Sequence, residues 1–239
     1  MSELVTLLTP TGGRPDAWKL CERYMHRQTY KGPLEWIVVD DMLPMQTCTR
    51  GQQQVCGPKP WRAGINTQRP NCDLLIQLAK GEYIFWIEDD DWYAPNYIET
   101  MLYLLQRYDA VGEANNRYFA LTDRSYIEFN NTRHASLCST AFRRKFIPVM
   151  EEVINSGANP FFDTGFWSRL VTGHENAMMI LNTRLNIGMK QLPGRTGIGA
   201  GHHNTKAQGF TRDPMFEMLR NWVGADADDY IKIATGQHI

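Results

Sequence analysis

This sequence of 239 residues lacks several features that would indicate a particular class of protein. No apolar run approaches the roughly 18 residues that a membrane-spanning helix needs. The opening residues, MSELVTLLTP, lack the basic flank and the cleavage site of a secretory signal. The formal net charge of −1 gives no general attraction to nucleic acid or to anionic membranes. We therefore expect a protein without a transmembrane segment, with the cytoplasm as its default location.

Cysteine is also sparse. The five cysteines include no CxxC pair, so the sequence predicts neither a zinc knuckle nor a disulfide framework. The composition is 43% hydrophobic and 21% charged, as in ordinary globular proteins. A chain of this length can bury one substantial core, and we expect a single domain over residues 1–239.

Strand-like and helix-like segments alternate along the first part of the chain. Hydrophobic runs predict buried strands at 4–10, 34–41 and 83–87. Apolar residues at positions i, i+3, i+4 and i+7 predict helices that begin at Pro15 and Pro95. A further helix is expected to begin at a capping Asn71. The alternation predicts an α/β fold whose mainly parallel, mixed sheet is covered by helices on both faces, with short strands after Asp109.

Four consecutive carboxylates, 88–91, follow the third predicted strand, and Asp40 and Asp41 end the second. The carboxyl ends of parallel strands form the ligand-binding edge of an α/β sheet. Like charges at close range favour a cation that relieves their repulsion. Oxygen ligands suit Mg²⁺ or Mn²⁺, which take further ligands from substrate phosphates. The pattern predicts a site for a divalent cation and a phosphorylated ligand. The alternative is a solvated acidic turn at the N-terminus of the next helix.

Five segments resemble, in their order and spacing, the motifs of family 2 glycosyltransferases with the GT-A fold. They are LLTPTGGRP, EWIVVDDM, LAKGEYIFWIEDDDWYAPNYIETM, STAFRRKFI and FFDTGFWSRL. The resemblance implies a GT-A type, Rossmann-like sheet and transfer of a sugar from a nucleotide diphosphate, such as a UDP-sugar, to an acceptor hydroxyl. It also implies a nucleotide-sugar-binding half (1–110), an acceptor-side half (111–212) and a C-terminal helical segment (213–239).

The resemblance assigns roles to individual residues. Those implied to contact the donor are Thr9, Pro10, Thr11, Arg14, Asp40, Asp41, Glu88 and Asp89. Asp90 would coordinate Mn²⁺ or Mg²⁺ in a DXD-type motif, although an offset in which Asp89 and Asp91 form the pair stays open. His202, in a glycine-rich loop with His203, is a second candidate ligand because neutral imidazole often binds metals.

Asp163 aligns with the family aspartate that takes the proton of the acceptor hydroxyl, while Phe162 stands where the family usually has glutamate. A general base contributes roughly 10²- to 10⁴-fold to the rate. With Asp163 in that role, we expect transfer with inversion. The alternative is that Asp163 caps the helix that follows it.

The stretch between Pro44 and Cys72 is basic. Arg62 or Arg69 could reach the donor diphosphate, and Trp61 adds an aromatic ring. Basic and aromatic side chains also suit phosphate contact and base stacking, so a hydroxymethylated base in phage DNA stays open as an acceptor beside a glycan. Two further alternatives are a nucleotidyltransferase with the same metal platform and a non-catalytic module that binds sugar nucleotides.

Overall fold

Strands and helices alternate in the computed structural model, which describes residues 3–49, 51–62, 65–157, 161–173, 177–180, 183–197 and 199–237. The strands are β1 (Val5–Thr11), β2 (Leu34–Asp40), β3 (Gln53–Cys56), β4 (Tyr83–Trp86), β5 (Trp92–Tyr93), β6 (Ala110–Glu113), β7 (Arg117–Ala120), β8 (Ser125–Glu128), β9 (Thr140–Arg143), β10 (Ala177–Ile180), β11 (Asn186–Lys190) and β12 (Thr211–Arg212). The helices are α1 (Pro15–His26), α2 (Gln68–Leu78), α3 (Tyr97–Leu105), α4 (Ile147–Asn155), α5 (Phe162–Gly173), α6 (Glu217–Val223) and α7 (Ala227–Ala234).

The main sheet has seven strands in the order β10-β6-β9-β4-β1-β2-β3. Strands β1 to β4 pair in parallel, and so do β10 and β6. Strand β9 runs antiparallel to both of its neighbours, β4 and β6. The sheet is therefore mostly but not purely parallel, which confirms the predicted mixed α/β architecture.

Both faces of the main sheet are buried, which explains why a central strand such as β4 is hydrophobic at every position. In β4, Tyr83 and Phe85 join one core, and Ile84 and Trp86 join the other. The first core takes its helical residues from α1, α3, α6 and α7, and the second from α2, α4 and α5. Each fully buried large apolar side chain contributes about 1.5–3 kcal/mol.

A smaller sheet has the strand order β12-β8-β7-β11-β5. Strand β11 pairs in parallel with β7 and antiparallel with β5, which immediately follows the acidic run. This pairing brings the end of β11, at Lys190, beside Asp91. The sequence predicts short strands after Asp109 as an extension of one sheet. It does not predict that some of them form a second sheet, because pairing between segments about 70 residues apart leaves no local periodicity.

Two expected helix starts differ from the structure. Asn71 lies inside α2, where its side-chain amide donates to Asp41. The predicted C-terminal helical segment 213–239 begins its first helix only at Glu217, because the Asp213 carboxylate caps the backbone N–H groups of Glu217 (2.8 Å) and Met218 (2.9 Å).

The cysteines and the helix lengths bear on two further features of the described part of the chain. All five cysteines are free. None of the helices that the structure describes is long and apolar enough to cross a membrane.

Candidate active site

A cavity of about 770 Å³ lies at the carboxyl ends of β1, β2 and β4. Eight of the residues implied by the family resemblance line it: Pro10, Thr11, Arg14, Glu88, Asp89, Asp90, Asp163 and His202. Three others, Thr9, Asp40 and Asp41, fall outside the lining that the described residues form, and so does Arg69, which the basic stretch offered as a diphosphate contact. The strand ends therefore converge on one crevice.

Arg14 bridges two carboxylates of the acidic run. Its Nη1 atom donates to Asp90 Oδ2 at 2.7 Å, and its Nη2 atom donates to Asp89. Thr11 Oγ1 also donates to Asp89, at 2.7 Å. Burial raises the pKa of Asp89 to about 6, against the opposing charge of Arg14. Burial would also raise the pKa of Asp90, but Arg14 and Lys190 lower it to about 2. Asp90 is therefore a carboxylate at neutral pH.

His202 lies beside Asp90, as a shared metal site requires. Its Nε2 atom is 3.8 Å from Asp90 Oδ2. This separation is too long for a hydrogen bond, yet two ligands at about 2.1 Å from one cation can span it. Burial, together with the nearby charge of Lys190, lowers the pKa of His202 to about 3, so the imidazole is neutral and can offer a lone pair. The Nδ1 atom is buried and has no hydrogen-bond partner within the described part of the chain. Asp90 and His202 therefore fit a divalent cation.

Asp91 points away from this pair. Its Oδ1 atom accepts hydrogen bonds from Met189 N at 3.0 Å and from Lys190 Nζ at 3.3 Å. Potential ligand atoms of Glu88, Asp91 and Cys138 lie within 4.8 Å of one another, which makes them a second group that could hold a cation. Burial, with Asp91 nearby, raises the pKa of Glu88 to about 8.

The two aspartates at the end of β2, Asp40 in its last position and Asp41 directly after it, fix the surrounding loops. Asp40 accepts hydrogen bonds from Met42 N at 3.0 Å and Gln46 N at 2.6 Å. Asp41 accepts two from Arg195 Nη1, at 2.7 and 2.8 Å, and one from Asn71 Nδ2 at 2.7 Å. Both carboxylates are almost fully buried. Neither carboxylate lines the cavity that the described residues form, but both hold the loops around it in place.

Arg195 and Lys190 are cationic residues of the cavity lining that the sequence analysis missed. Lys190 ends β11, and its ammonium lies 4.8 Å from the centre of the Tyr118 ring. Arg195 lies over Trp61, at 5.7 Å from the ring centre. No local motif marks either residue, because long-range pairing and the loop after β11 bring them to the cavity.

The loop after β11 lies against the loop after β1. Arg195 N donates to the carbonyl oxygen of Gly13 at 3.3 Å. A Cβ atom on Gly194 would come within 2.2 Å of the same oxygen, and Gly194 has a φ of +102°. Only glycine allows this approach without a shift of the backbone.

Thr9 and Arg69 support the framework. Thr9 Oγ1 accepts a hydrogen bond from Trp36 Nε1 at 2.9 Å. Arg69 donates to the carbonyl oxygen of Ile154 and lies 5.4 Å from the centre of the Phe162 ring. Among the other basic residues of this stretch, Lys59 and Arg62 are exposed, and Arg50 lies outside the described residues.

Asp163 lies in the first turn of α5 and faces the cavity. Its Oδ2 atom is 3.0 Å from His134 Nε2, and its Oδ1 atom accepts a hydrogen bond from Thr164 N at 2.9 Å. The side chain of Asp163 is 15% exposed. Phe162, directly before it, belongs to the second hydrophobic core, which accounts for an apolar residue at this position.

Two solved structures are similar to this fold. The mannosyltransferase PcManGT from Pyrobaculum calidifontis, solved with GDP-Man and Mn²⁺, has a TM-score of 0.55, covers 98% of this chain and 74% of its own, and is 14% identical. TarS 1–349 from S. aureus, solved with UDP, has a TM-score of 0.50 with 77% of this chain and 60% of its own covered, at 12% identity. At such low identity the likeness shows the fold alone, and that fold is GT-A.

The sequence also resembles a known family over part of its length. The model for glycosyl transferase family 2 matches residues 59–166, a stretch that includes the acidic run and Asp163. The match covers 108 of the 239 residues, just under half of the chain. No curated protein matches the chain. The chain spans 36% of one TarS structure and 60% of the shorter form, so less than two thirds of these relatives.

Proposed function

We propose that this protein is a glycosyltransferase that moves a sugar from a nucleoside diphosphate donor to an acceptor hydroxyl with inversion at the anomeric carbon. The acceptor oxygen forms a bond to the anomeric carbon, and the bond from that carbon to the diphosphate oxygen breaks. The electron pair of the broken bond leaves with the nucleoside diphosphate. Asp163 takes the proton of the acceptor hydroxyl.

The observation that carries the proposal is the joint position of Asp90, His202 and Asp163 on one cavity. Asp90 and His202 would hold a divalent cation, Mn²⁺ or Mg²⁺. When bound, such a cation stabilises negative charge on a departing diphosphate. Two side chains of the lining, Arg14 and Lys190, add positive charge that suits the same phosphates.

UDP is the first candidate nucleotide. Its support is the UDP complex of TarS, while the GDP-Man complex of PcManGT supports GDP as the alternative. The DXD-type role falls to Glu88-Asp89-Asp90 in this proposal, because Asp90 lies near His202 while Asp91 pairs with Lys190.

A thermal-shift panel tests the donor and metal assignments. Melting temperatures are measured with UDP, GDP, CDP and TDP, each with and without Mn²⁺, because a ligand of the native state stabilises it by RT ln(1 + [L]/Kd). We expect a manganese-dependent increase with one diphosphate, and loss of that dependence in Asp90→Asn and His202→Ala. Absence of any shift in the wild type, or an unchanged manganese effect in both variants, would contradict the metal assignment.

The acceptor is proposed to be a glycan or another hydroxyl-bearing molecule. Transfer to a glycan would change little with salt, whereas binding to a duplex with hydroxymethylated bases would weaken steeply as salt rises. Measuring both between about 50 and 200 mM salt, an interval over which a protein with several phosphate contacts loses roughly 10³- to 10⁵-fold in affinity, separates the two acceptors.

A further inference from the structure

A chain of hydrogen bonds leads from the end of β6 to Asp163. It passes through Asn116, Asn131 and His134. His134 is 32% exposed and Asp163 is 15% exposed, so the far end of the chain reaches the cavity while its start is buried. The direction of each hydrogen bond follows from groups that can only accept or only donate.

The chain begins at the backbone carbonyl of Glu113, which can only accept. The side-chain nitrogen of Asn116 lies 3.4 Å from this oxygen and 3.1 Å from Ser139 Oγ. This orientation leaves the Asn116 side-chain oxygen as an acceptor. A hydrogen-bond donor must therefore stand opposite that oxygen.

Asn131 supplies the donor. Its Nδ2 atom lies 3.2 Å from Asn116 Oδ1, and its Oδ1 atom lies 3.4 Å from the backbone nitrogen of Asn116. If the Asn131 amide were turned over, its oxygen would face Asn116 Oδ1 and its NH₂ group would face the backbone N–H of Asn116. The second hydrogen of the Asn131 amide is thus free to point at His134 Nδ1, which is 3.3 Å away.

The tautomer of His134 follows from its neighbours. Because Asn131 donates to Nδ1, that nitrogen must hold a lone pair, and the hydrogen of the neutral ring is on Nε2. The Nε2 atom lies 3.0 Å from Asp163 Oδ2, a carboxylate oxygen that accepts. The Nε2–H tautomer therefore satisfies both hydrogen bonds.

We propose that His134 is a positioning residue for Asp163 and that Asn131 sets its tautomer; this inference rests on the proposed function of Asp163 as the base. The hydrogen bonds from His134 to Oδ2 and from Thr164 N to Oδ1 hold both oxygens of the carboxylate. Each oxygen keeps a further lone pair for the acceptor proton. His134 neither gains nor loses a proton, since the proton passes from the acceptor oxygen to Asp163.

The kinetic test compares His134→Ala with His134→Gln, which keeps an N–H donor. A hydrogen bond to a charged group contributes enough that we expect kcat to fall about ten- to a hundredfold in the alanine variant. The KM for donor and the melting temperature should stay near the wild-type values. Added imidazole should restore part of kcat in His134→Ala, and His134→Gln should lose much less. His26→Ala is the matched control, because His26 is an exposed histidine on the last turn of α1.

Histidine ¹⁵N NMR of the wild-type protein tests the tautomer without turnover or a variant. We expect the His134 signals to show hydrogen on Nε2 and a bare Nδ1. Hydrogen on Nδ1 would overturn the inference. A kcat in His134→Ala equal to that of the wild type would also overturn it. The same holds if kcat falls only together with the melting temperature and added imidazole does not restore it.

The proposed function and the positioning role of His134 can be disproved separately. Turnover is followed as release of UDP from UDP-glucose and UDP-N-acetylglucosamine, or of GDP from GDP-mannose, with Mn²⁺ present. If the wild type binds a donor and shows no release or transfer across an acceptor panel, the proposed function falls, and the role of His134 falls with it. If the wild type turns over and His134→Ala does so equally, only the positioning role falls.

Discussion

At the scale of single residues, the site depends on buried charges that are paired within it. Lys190 and Asp91 are 7% and 0% exposed in their side chains, and they meet at 3.3 Å. Asp91 and Asp90 raise the pKa of Lys190 well above its ordinary value, although burial alone would lower it. The lysine is therefore charged across the physiological range, and its removal leaves an uncompensated buried carboxylate.

We predict that Lys190→Met lowers the free energy of unfolding by about 3–5 kcal/mol, because breaking a buried pair from one side is strongly destabilising. The double variant Lys190→Met/Asp91→Asn should recover much of this loss. Urea unfolding of the two single variants and the double variant measures the coupling. A loss in the double variant equal to the sum of the losses in the two single variants would show that the pair has no net coupling.

At the scale of elements, the turn between α6 and α7 is tied to α1 and β5. Asp226 accepts hydrogen bonds from Arg27 Nη1 at 2.8 Å and from Trp92 Nε1 at 2.7 Å. Burial would raise the pKa of Asp226, but the hydrogen bonds from Arg27 and Trp92 lower it below its ordinary value of 3.8. A lowered pKa in the folded state means that the ionised form stabilises the fold.

This contribution is fully present above the unfolded pKa near 3.8 and is lost as the pH falls through the lower folded value. We predict that Asp226→Asn costs about 1–3 kcal/mol at neutral pH, because donors on Arg27 and Trp92 lose their partner. The difference from the wild type should shrink below about pH 4. Denaturant unfolding at several pH values measures it, and a difference that grows in acid would contradict the assignment.

The loop after β11 gives a second prediction at this scale. Gly194→Ala and Gly209→Ala both place alanine at positive φ, of +102° and +80°. Only at Gly194 would the new Cβ meet backbone, since the space around Gly209 is open. We therefore expect Gly194→Ala to weaken nucleotide binding about tenfold or more, in line with a cost of 1–3 kcal/mol for displaced backbone. Titration calorimetry with UDP and Mn²⁺ checks this, and equal affinities in the two variants would exclude an effect of the clash.

The sequence predicts where strands and helices lie better than it predicts which of them pair or pack together. The strands that end near Asp40 and Glu88 have long hydrophobic runs, and a parallel sheet brings their ends together by a general rule. Asp90 and Asp163 could be singled out through the resemblance of the segments around them to family 2 glycosyltransferase motifs. Lys190, Arg195 and His134 could not, because pairing across the smaller sheet and loops sets their positions. The local pattern around Asp213 predicted a helix but not its delayed start.

At the scale of the whole molecule, the two hydrophobic cores share the strands of the main sheet. Alternate residues of β1, β2 and β4 enter opposite cores, so neither core can form without these strands. The C-terminal helices α6 and α7 also join the first core, through Leu219 and Tyr230. We therefore infer that the proposed halves 1–110 and 111–212 unfold as one cooperative unit.

We predict a single unfolding transition in urea. Far-ultraviolet circular dichroism and tryptophan fluorescence should give coincident curves, as two-state behaviour requires. Two separated transitions, one for each half, would contradict this view and support independent domains.

The placement of the seven tryptophans allows the intrinsic fluorescence of the protein to report on the cavity. Six of them are buried in the fold: Trp18, Trp36, Trp86, Trp92, Trp167 and Trp222. Trp61 is partly exposed and belongs to the cavity wall, beside Arg195. Excitation at the red edge of the absorption band favours such a polar, solvent-exposed indole over the buried ones. Entry of a nucleotide should therefore change the emission of a single ring, which allows binding rates to be followed without a label.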